Sequence, residues 1–440
     1  MRVLWVCNIM LPVIAGKLGL AASNKEGWLS GLAEQVLADQ QSNGIELAVA
    51  FPVERERDGF RETFTLADQS RITGYGFYED VCNPEQYDEA LEQRIGRIIE
   101  DFKPDVIHCF GAEYGHTLAV TRACPRPEKV LVGIQGICSA YARAYMADLP
   151  VKVQRSVTFR DLVKRDTLLL QQRKFTTRGV HETEAVHRTG NITGRTHWDH
   201  CYAGELNPKA EYYPMNETLR SVFYTGQWSS DTCEKGRIFL SQGDYPVKGL
   251  HYMLLALGEI IKTYPHARIC VAGNSLVQDR TLKDKIKISA YGRYLKHIIR
   301  RNHLEEHVEF LGRLTAEQMK EQYLKAELFV CCSSLENSPN SLGEAMILGT
   351  PCVSAAVGGI PTLFRDGVDG ILYEGFREDG GEDALTGIAG NLSRAVLQMW
   401  SDPAKAAEYG QNARAHAMIT HDKAANYRRL LEIYADIANK

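Results

Sequence analysis

Leu328-Phe329-Val330-Cys331-Cys332-Ser333-Ser334-Leu335-Glu336-Asn337-Ser338-Pro339-Asn340-Ser341-Leu342-Gly343-Glu344-Ala345-Met346 is the stretch that sets the class of fold. Residues 328–332 form the short continuous apolar run of a strand buried on both faces. A polar loop containing Pro339 follows, and near Ser341 the spacing becomes helical. Strand, loop and helix in that order is the repeating unit of parallel α/β folds. Such sheets bind ligands beyond the carboxyl ends of their strands. The loop carries Glu336 and the first turn of the helix carries Glu344, with seven residues between them. Residues 340–343 would present backbone N–H groups and the positive end of the helix dipole, a ready site for a phosphate. Ser341-x-x-Glu344 fits a capping box equally well, with Glu344 only reaching back to a backbone N–H. Glu336 fits a solvated loop acid.

Outward from this stretch the alternation continues. Residues 351–354 read as a further strand and residues 384–440 as helical segments. Upstream, 237–241, 268–272 and 308–311 read as strands, and Leu250, Met253, Leu254, Leu257, Ile260 and Ile261 line one helix face. Between 207 and 235 the apolar periodicity fades among Pro208, Pro214, Gly226 and Gly236, so the linker is placed there. Before it lies a second α/β half. Strands are expected at 3–7, 45–51, 106–109, 130–134 and 191–193, a loop after the first strand, and helices from Gly27 and from Tyr87 to Phe102. The expected division is therefore 1–220, 221–415 and a terminal helix, 416–440, packing back towards the first half. At 440 residues, two domains of similar size are the natural count.

Composition narrows the class of function. With 44% hydrophobic and 24% charged residues the chain reads as an ordinary globular protein, and a net charge of −4 gives no sign of a nucleic-acid partner. Eleven cysteines, mostly within apolar runs and without C-x-x-C, read as reduced thiols in a cytoplasm-like compartment. The apolar N-terminal run, with Leu20-Ala21-Ala22-Ser23 beyond it, imitates a signal peptide. Asn8 and Pro12 interrupt it, and it reads better as a buried strand. No stretch has the length of apolar sequence that spans a bilayer.

Several neighbouring motifs complete the picture. Leu311-Gly312-Arg313-Leu314-Thr315 precedes the Glu336–Glu344 stretch, and Gly349-Thr350-Pro351-Cys352-Val353-Ser354, Gly358-Gly359-Ile360-Pro361, Asp366-Gly367 and Gly370-Ile371-Leu372-Tyr373 follow it. Together they resemble the family-4 retaining glycosyltransferases of the GT-B fold, whose E-x7-E pair Glu336 and Glu344 match. The resemblance is specific over about a hundred residues and weaker elsewhere, as in Lys103-Pro104-Asp105-Val106-Ile107-His108. It implies two Rossmann-like α/β/α domains facing a central cleft, with Glu336 on the donor sugar, Glu344 on the ribose, and Arg313 near the nucleotide. In Ser241-Gln242-Gly243-Asp244-Tyr245-Pro246-Val247-Lys248, Lys248 matches the family's diphosphate-binding lysine, while Gln242 replaces an arginine. Arg195 or Arg313 would have to supply that missing charge. A surface lysine opening a helix is the plain alternative for Lys248, at an unfavourable end for a cation.

The first half departs from the family twice more. Glu26-Gly27 stands for a Gly-Gly pair, and Gln135 stands for a histidine that contacts the donor sugar; Gln135 can donate and accept hydrogen bonds but cannot transfer a proton. Gly27, His108, Glu113 and His116 are candidates for the acceptor side, with a structural histidine or surface acid as the alternative at each acid or histidine. Thr193-Gly194-Arg195-Thr196-His197-Trp198-Asp199-His200 lacks zinc-like spacing and is expected to be a strand-end loop; with no Asp-x-Asp in the chain, neither metal nor cofactor is expected. Lys152, Arg155, Arg160, Lys164, Arg165, Arg173, Lys174 and Arg178 lie on helix-compatible sequence. They suit a solvated face, or else a surface for anionic lipid or a pyrophosphate-bearing acceptor at the inner face of a membrane.

The resulting expectation is a retaining, metal-independent transferase moving a sugar from a nucleotide sugar, UDP- first, to a glycan or lipid-linked acceptor. Two alternatives stand beside it. One is an epimerase or phosphorylase on the same fold, revealed by acceptor-free turnover or a phosphate requirement. The other is a sugar-nucleotide-binding subunit with little turnover.

Overall fold

A computed structural model of the chain describes residues 1–20, 27–277, 287–380 and 383–440. Glu26 and the 21–23 part of the signal-like run lie outside the described residues. The chain divides into two compact units. Unit 1 comprises Met1–Ser139, Phe175–Arg220 and His421–Lys440, and unit 2 comprises Ala140–Lys174 and Ser221–Thr420.

Unit 1 is built on β1 (Arg2–Val6), β2 (Glu46–Val53), β3 (Arg61–Thr65), β4 (Arg71–Tyr78), β5 (Val106–Phe110), β6 (Val130–Gly133), β7 (Asn191–Gly194) and β8 (Glu211–Pro214). They form one sheet in the order β3-β4-β2-β1-β5-β6-β7-β8. All neighbours are parallel except β3 and β4. Trp5 on central β1 lies opposite Val49 and His108. One face is closed by Leu29, Leu32, Val36 and Leu37 of the Gly27–Ala38 helix and by Leu430, Ile433, Tyr434 and Ile437 of the Lys423–Ala438 helix. Trp5 Nε1 donates to Tyr434 Oη at 2.9 Å, so the buried indole N–H finds the partner its burial requires.

Unit 2 holds β9 (Glu234–Leu240), β10 (Arg268–Ala272), β11 (Val308–Gly312), β12 (Ala326–Cys331), β13 (Cys352–Ala355) and β14 (Ile371–Tyr373). They form an all-parallel sheet in the order β11-β10-β9-β12-β13-β14. This is the 3-2-1-4-5-6 order of dinucleotide-binding folds, and its direction reverses between β9 and β12. The loops leaving those two strands therefore rise side by side into the crevice where such sheets take ligands.

Three expectations are corrected, and a fourth gains detail. The loop after β1 contains a helix, Pro12–Lys17, with proline at its start, where its missing N–H is no loss. The 207–235 stretch contributes β8, which pairs with β7 through Asn191↔Glu211 to Gly194↔Pro214. The helix-compatible stretch at 151–178 is helical in three pieces, Val151–Gln154, Phe159–Lys164 and Leu168–Arg188, and its part up to Lys174 belongs to unit 2. The expected loop at 193–200 is the end of β7 plus the start of a helix, His197–Leu206. Thr196 and Asp199 form its capping box, and His200 stacks on Tyr212 at 4.2 Å.

Candidate functional site

Backbone contacts join the β9 and β12 loops before any side chain does. Ser334 N–H donates to the Val247 carbonyl at 2.7 Å. Gly249, at φ +70°, caps the Leu250–Ile260 helix, and a Cβ there would stand 1.8 Å from the Cys332 carbonyl oxygen. Only glycine allows both that conformation and that approach. The result is to bring Lys248 and Glu336 together. Lys248 Nζ lies 2.6 Å from Glu336 Oε1, with the side chains 16% and 8% exposed. Ser333 Oγ donates to the same oxygen at 2.7 Å and Tyr141 Oη to Oε2 at 3.4 Å, so both carboxylate oxygens are engaged. Burial pulls the Lys248 pKa down, but the Glu336 carboxylate and then Tyr245 and Tyr141 more than offset it; the ammonium is held well above its ordinary value and stays charged. The backbone of Glu336 is pinned too, its carbonyl accepting the Gly359 N–H at 3.0 Å. Gly358, at φ +52°, leaves no room for a Cβ, which would stand 2.1 Å from that carbonyl oxygen.

The second glutamate is held differently. The helix runs Asn340–Leu348 and Pro339 is its cap, so Ser341 is its second residue and Glu344 its fifth, beyond the first turn. No side-chain cap bond forms there, and the capping-box alternative for Glu344 does not match the geometry. Thr158, Thr196 and Thr315 show what such boxes look like in this chain. Glu344 is 4% exposed, and its Oε2 accepts from Tyr323 Oη at 3.2 Å. Leu342 and Gly343 N–H turn back onto the Pro339 carbonyl, at 3.0 and 3.3 Å. The donors left at the helix start are thus those of Asn340 and Ser341, half the expected set.

Gln242 and Arg313 meet through two residues that the motif reading passed over. Asp244 accepts from Asn274 N at 2.9 Å and from the Gln242 side chain, while Arg313 Nε donates to Asn274 Oδ1 at 3.1 Å. Burial raises the Asp244 carboxyl, and Asn274, Gln242 and Arg313 restrain the rise. Gly243 is buried, and a Cβ there would meet the Leu250 and Val271 side chains. Gln242, Asn274 and Arg313 follow β9, β10 and β11 respectively, so the network lies along the carboxyl edge of the same sheet. Of the two arginines considered as substitutes for the missing charge, Arg313 is the one in this unit.

Within unit 1, Arg195 is buried beside Glu217, both side chains at most 5% exposed, and its Nη2 donates to Gln135 Oε1 at 3.0 Å. Glu113 Oε1 accepts from Gly136 N at 2.6 Å, so Glu113, Gln135 and Arg195 gather at the carboxyl ends of β5, β6 and β7. Beside them Glu182 accepts from Ser139 N at 3.1 Å; burial, and then the charge of Glu113, push its pKa up to about 8. The two histidines do not join this group. His108 is 1% exposed within β5, bonded to Tyr434 Oη at 2.8 Å and stacked on Phe110, and burial holds its pKa down at about 3. His116 is equally buried, with Nδ1 2.6 Å from Glu79 Oε2. Gly27 opens the Gly27–Ala38 helix.

Comparison with known proteins bears on unit 2 first. Residues 228–416 match the family model described as Glycosyl transferases group 1. Alpha-maltose-1-phosphate synthase from Mycobacterium tuberculosis is 34% identical over 125 residues, which cover 28% of this chain and 31% of that protein. A D-inositol 3-phosphate glycosyltransferase from Geodermatophilus obscurus is 31% identical over 121 residues, covering 25% and 27%. The chain thus spans about a third or less of the length of these curated relatives. Among solved structures, sucrose-phosphate synthase from Thermosynechococcus elongatus is similar with a TM-score of 0.65 at 15% identity, over 99% of both chains. Anabaena HepE in complex with UDP-glucose is similar with a TM-score of 0.61 at 15% identity, over 99% of this chain and 100% of that one. The fold is that of the GT-B glycosyltransferases, and the family match supports a place in that superfamily.

Proposed function

We propose that the chain is a family-4-type retaining glycosyltransferase that moves a sugar from a nucleoside diphosphate sugar, UDP- first, to a glycan or lipid-linked acceptor without a metal or other cofactor. The observation that carries this reading is the contact of Lys248 with Glu336 at the strand-order reversal of unit 2, in the loop that leads from β12 to the Asn340–Leu348 helix. As the sugar–phosphate bond breaks, negative charge grows on the leaving diphosphate. A permanently charged Lys248 and the Asn340 and Ser341 N–H groups suit that charge, fixed in place before the reaction begins. Glu336, with both oxygens engaged, is better suited to hold a sugar hydroxyl than to attack carbon. This favours attack on the face the leaving group departs from, with the diphosphate taking the acceptor's proton. Glu344, buried at the helix, is assigned to the ribose.

The family match and the neighbours solved with UDP, UDP-glucose and ADP support the donor class. Eleven free cysteines favour a reducing, cytoplasmic setting. Among the described residues no helix is long and apolar enough to cross a membrane. The reading is tested by incubating the protein with a panel of nucleotide sugars in EDTA and measuring nucleoside diphosphate release. Release from one donor supports it. Activity that requires Mg²⁺ or Mn²⁺ would remove the metal-free mechanism, and tight binding without any turnover would favour a sugar-nucleotide-binding subunit.

A further inference from the structure

In unit 2, the short helix Phe159–Lys164 is turned against the usual sense of burial. Phe159, Leu162 and Val163, at i, i+3 and i+4 on one face, are exposed to 66%, 66% and 67%. Asp161 on the opposite face is 1% exposed; it closes the capping box with Thr158 and accepts from Ala290 N at 3.0 Å. A helix on a globular surface normally does the reverse, with its apolar stripe inward and its carboxylates in water. The inversion extends to the neighbouring residues, since Val151, Val157, Leu169 and Leu170 are exposed as well. Seven of the thirteen exposed large apolar side chains among the described residues fall between 151 and 170. An apolar concentration of this kind marks an interaction surface.

The charges around it select the partner. Lys152, Arg155, Lys164 and Arg165 are exposed, and among the described residues none has a carboxylate partner. The only two acids between 151 and 174 are already engaged, Asp161 internally and Asp166 with Arg160 at 2.8 Å. The Arg293 guanidinium donates to Ser156 Oγ, which brings the basic helix Ala290–Arg301 alongside. The surface is therefore apolar at its crest and cationic at its rim.

We propose that this surface docks the protein on an anionic lipid bilayer, with Phe159, Leu162 and Val163 entering the acyl boundary and Lys152, Arg155, Lys164 and Arg165 meeting headgroup phosphates. Interfacial helices bind in this way, through buried apolar area combined with attraction to anionic headgroups. A second copy of the chain is disfavoured, because apposed copies would bring four cations, none with a carboxylate partner among the described residues, against four others. A nucleic acid would leave the apolar crest without a role.

The docking does not depend on the transfer chemistry, and the test keeps the two apart. Full-length protein is co-sedimented with vesicles of phosphatidylcholine alone and of phosphatidylcholine mixed with phosphatidylglycerol. Partition into the mixed vesicles should exceed that into neutral ones by roughly tenfold or more and should fall with added salt. Phe159→Ser with Leu162→Ser and Val163→Ser should weaken partition into both, while Lys164→Glu with Arg165→Glu should weaken only the anionic preference. These side chains are exposed, so the melting temperature and nucleoside diphosphate affinity of both variants should match the wild type. Equal partition into both vesicle types, or variants that bind as well as wild type, would overturn the proposal. So would a concentration-dependent dimer, abolished by Phe159→Ser, in a protein that ignores vesicles. Loss of nucleotide binding with vesicle binding intact would count against the transfer reading alone.

Discussion

Replacing Lys248 by alanine removes one partner of an ion pair whose side chains are 16% and 8% exposed. Breaking a fully buried pair costs about 3–5 kcal/mol, because the remaining charge is left without compensation. Ser333 and Tyr141 still donate to the Glu336 carboxylate and some solvent reaches it, so the cost falls below that range, to about 2–3 kcal/mol. For a unit of this size that lowers the melting temperature by roughly 5–10 °C. Turnover should fall further than stability. Losing one preorganised donor to a developing anion costs about 10²–10³ in kcat, and a full positive charge in a partly buried site belongs at the upper end. Differential scanning calorimetry and single-turnover release of nucleoside diphosphate measure the two effects. The double variant Lys248→Met with Glu336→Gln should recover much of the lost stability and none of the activity, since the lone charge is gone but so is the chemistry. A Lys248→Ala protein that melts within roughly a degree of wild type and turns over within about threefold would refute the reasoning, leaving the ion pair incidental.

Three further outcomes follow from the same geometry. Glu344→Gln should weaken nucleoside diphosphate binding by calorimetry, since an amide replaces one acceptor oxygen with a donor; normal affinity in a folded variant removes Glu344 from the ribose. Gln242→Arg should tighten that binding by roughly fivefold through a charge-assisted contact, and unchanged affinity would mean that Asp244 takes the new guanidinium or that the diphosphate lies elsewhere. Glu182, raised to about 8 when folded, holds a proton that the unfolded chain releases near pH 4.3, so its contribution to stability is full below about that pH and is lost as pH rises to about 8. Denaturant titrations should show Glu182→Gln losing less stability than wild type between those pH values, and parallel curves would contradict the assignment.

What was legible from sequence follows from where the chain carries local signals. β12, its loop and the helix beyond could be read because an uninterrupted apolar run, a proline and a helical period follow in order. The β3–β4 hairpin could not, since β4 carries Gly74 and Gly76 and β3 is exposed apart from Phe64. Periodicity marked 151–178 as helical, but it records neither the interruptions nor the inverted face of Phe159, Leu162 and Val163, because which side is buried is decided by tertiary partners. The Lys248–Glu336 contact joins residues 88 apart and arises from the placement of β9 beside β12. The apparent Ser341–Glu344 box fails because the helix starts two residues earlier than such a box requires, at Asn340 after Pro339. Asp244, although inside the Ser241–Lys248 stretch, and Asn274 carry no signal of their own. Each is a lone polar residue just beyond a strand, and only the fold shows that they share Arg313 and Gln242.

The most direct test of the central claim is to follow the anomeric proton of the transferred sugar by NMR, with the cognate nucleotide sugar, its acceptor and EDTA present. Net retention of the donor's anomeric configuration, with nucleoside diphosphate released in step and without metal, is the predicted result. An inverted product, or transfer that begins only when a divalent metal is restored, would contradict the account built on Lys248, Glu336 and the Asn340 helix start.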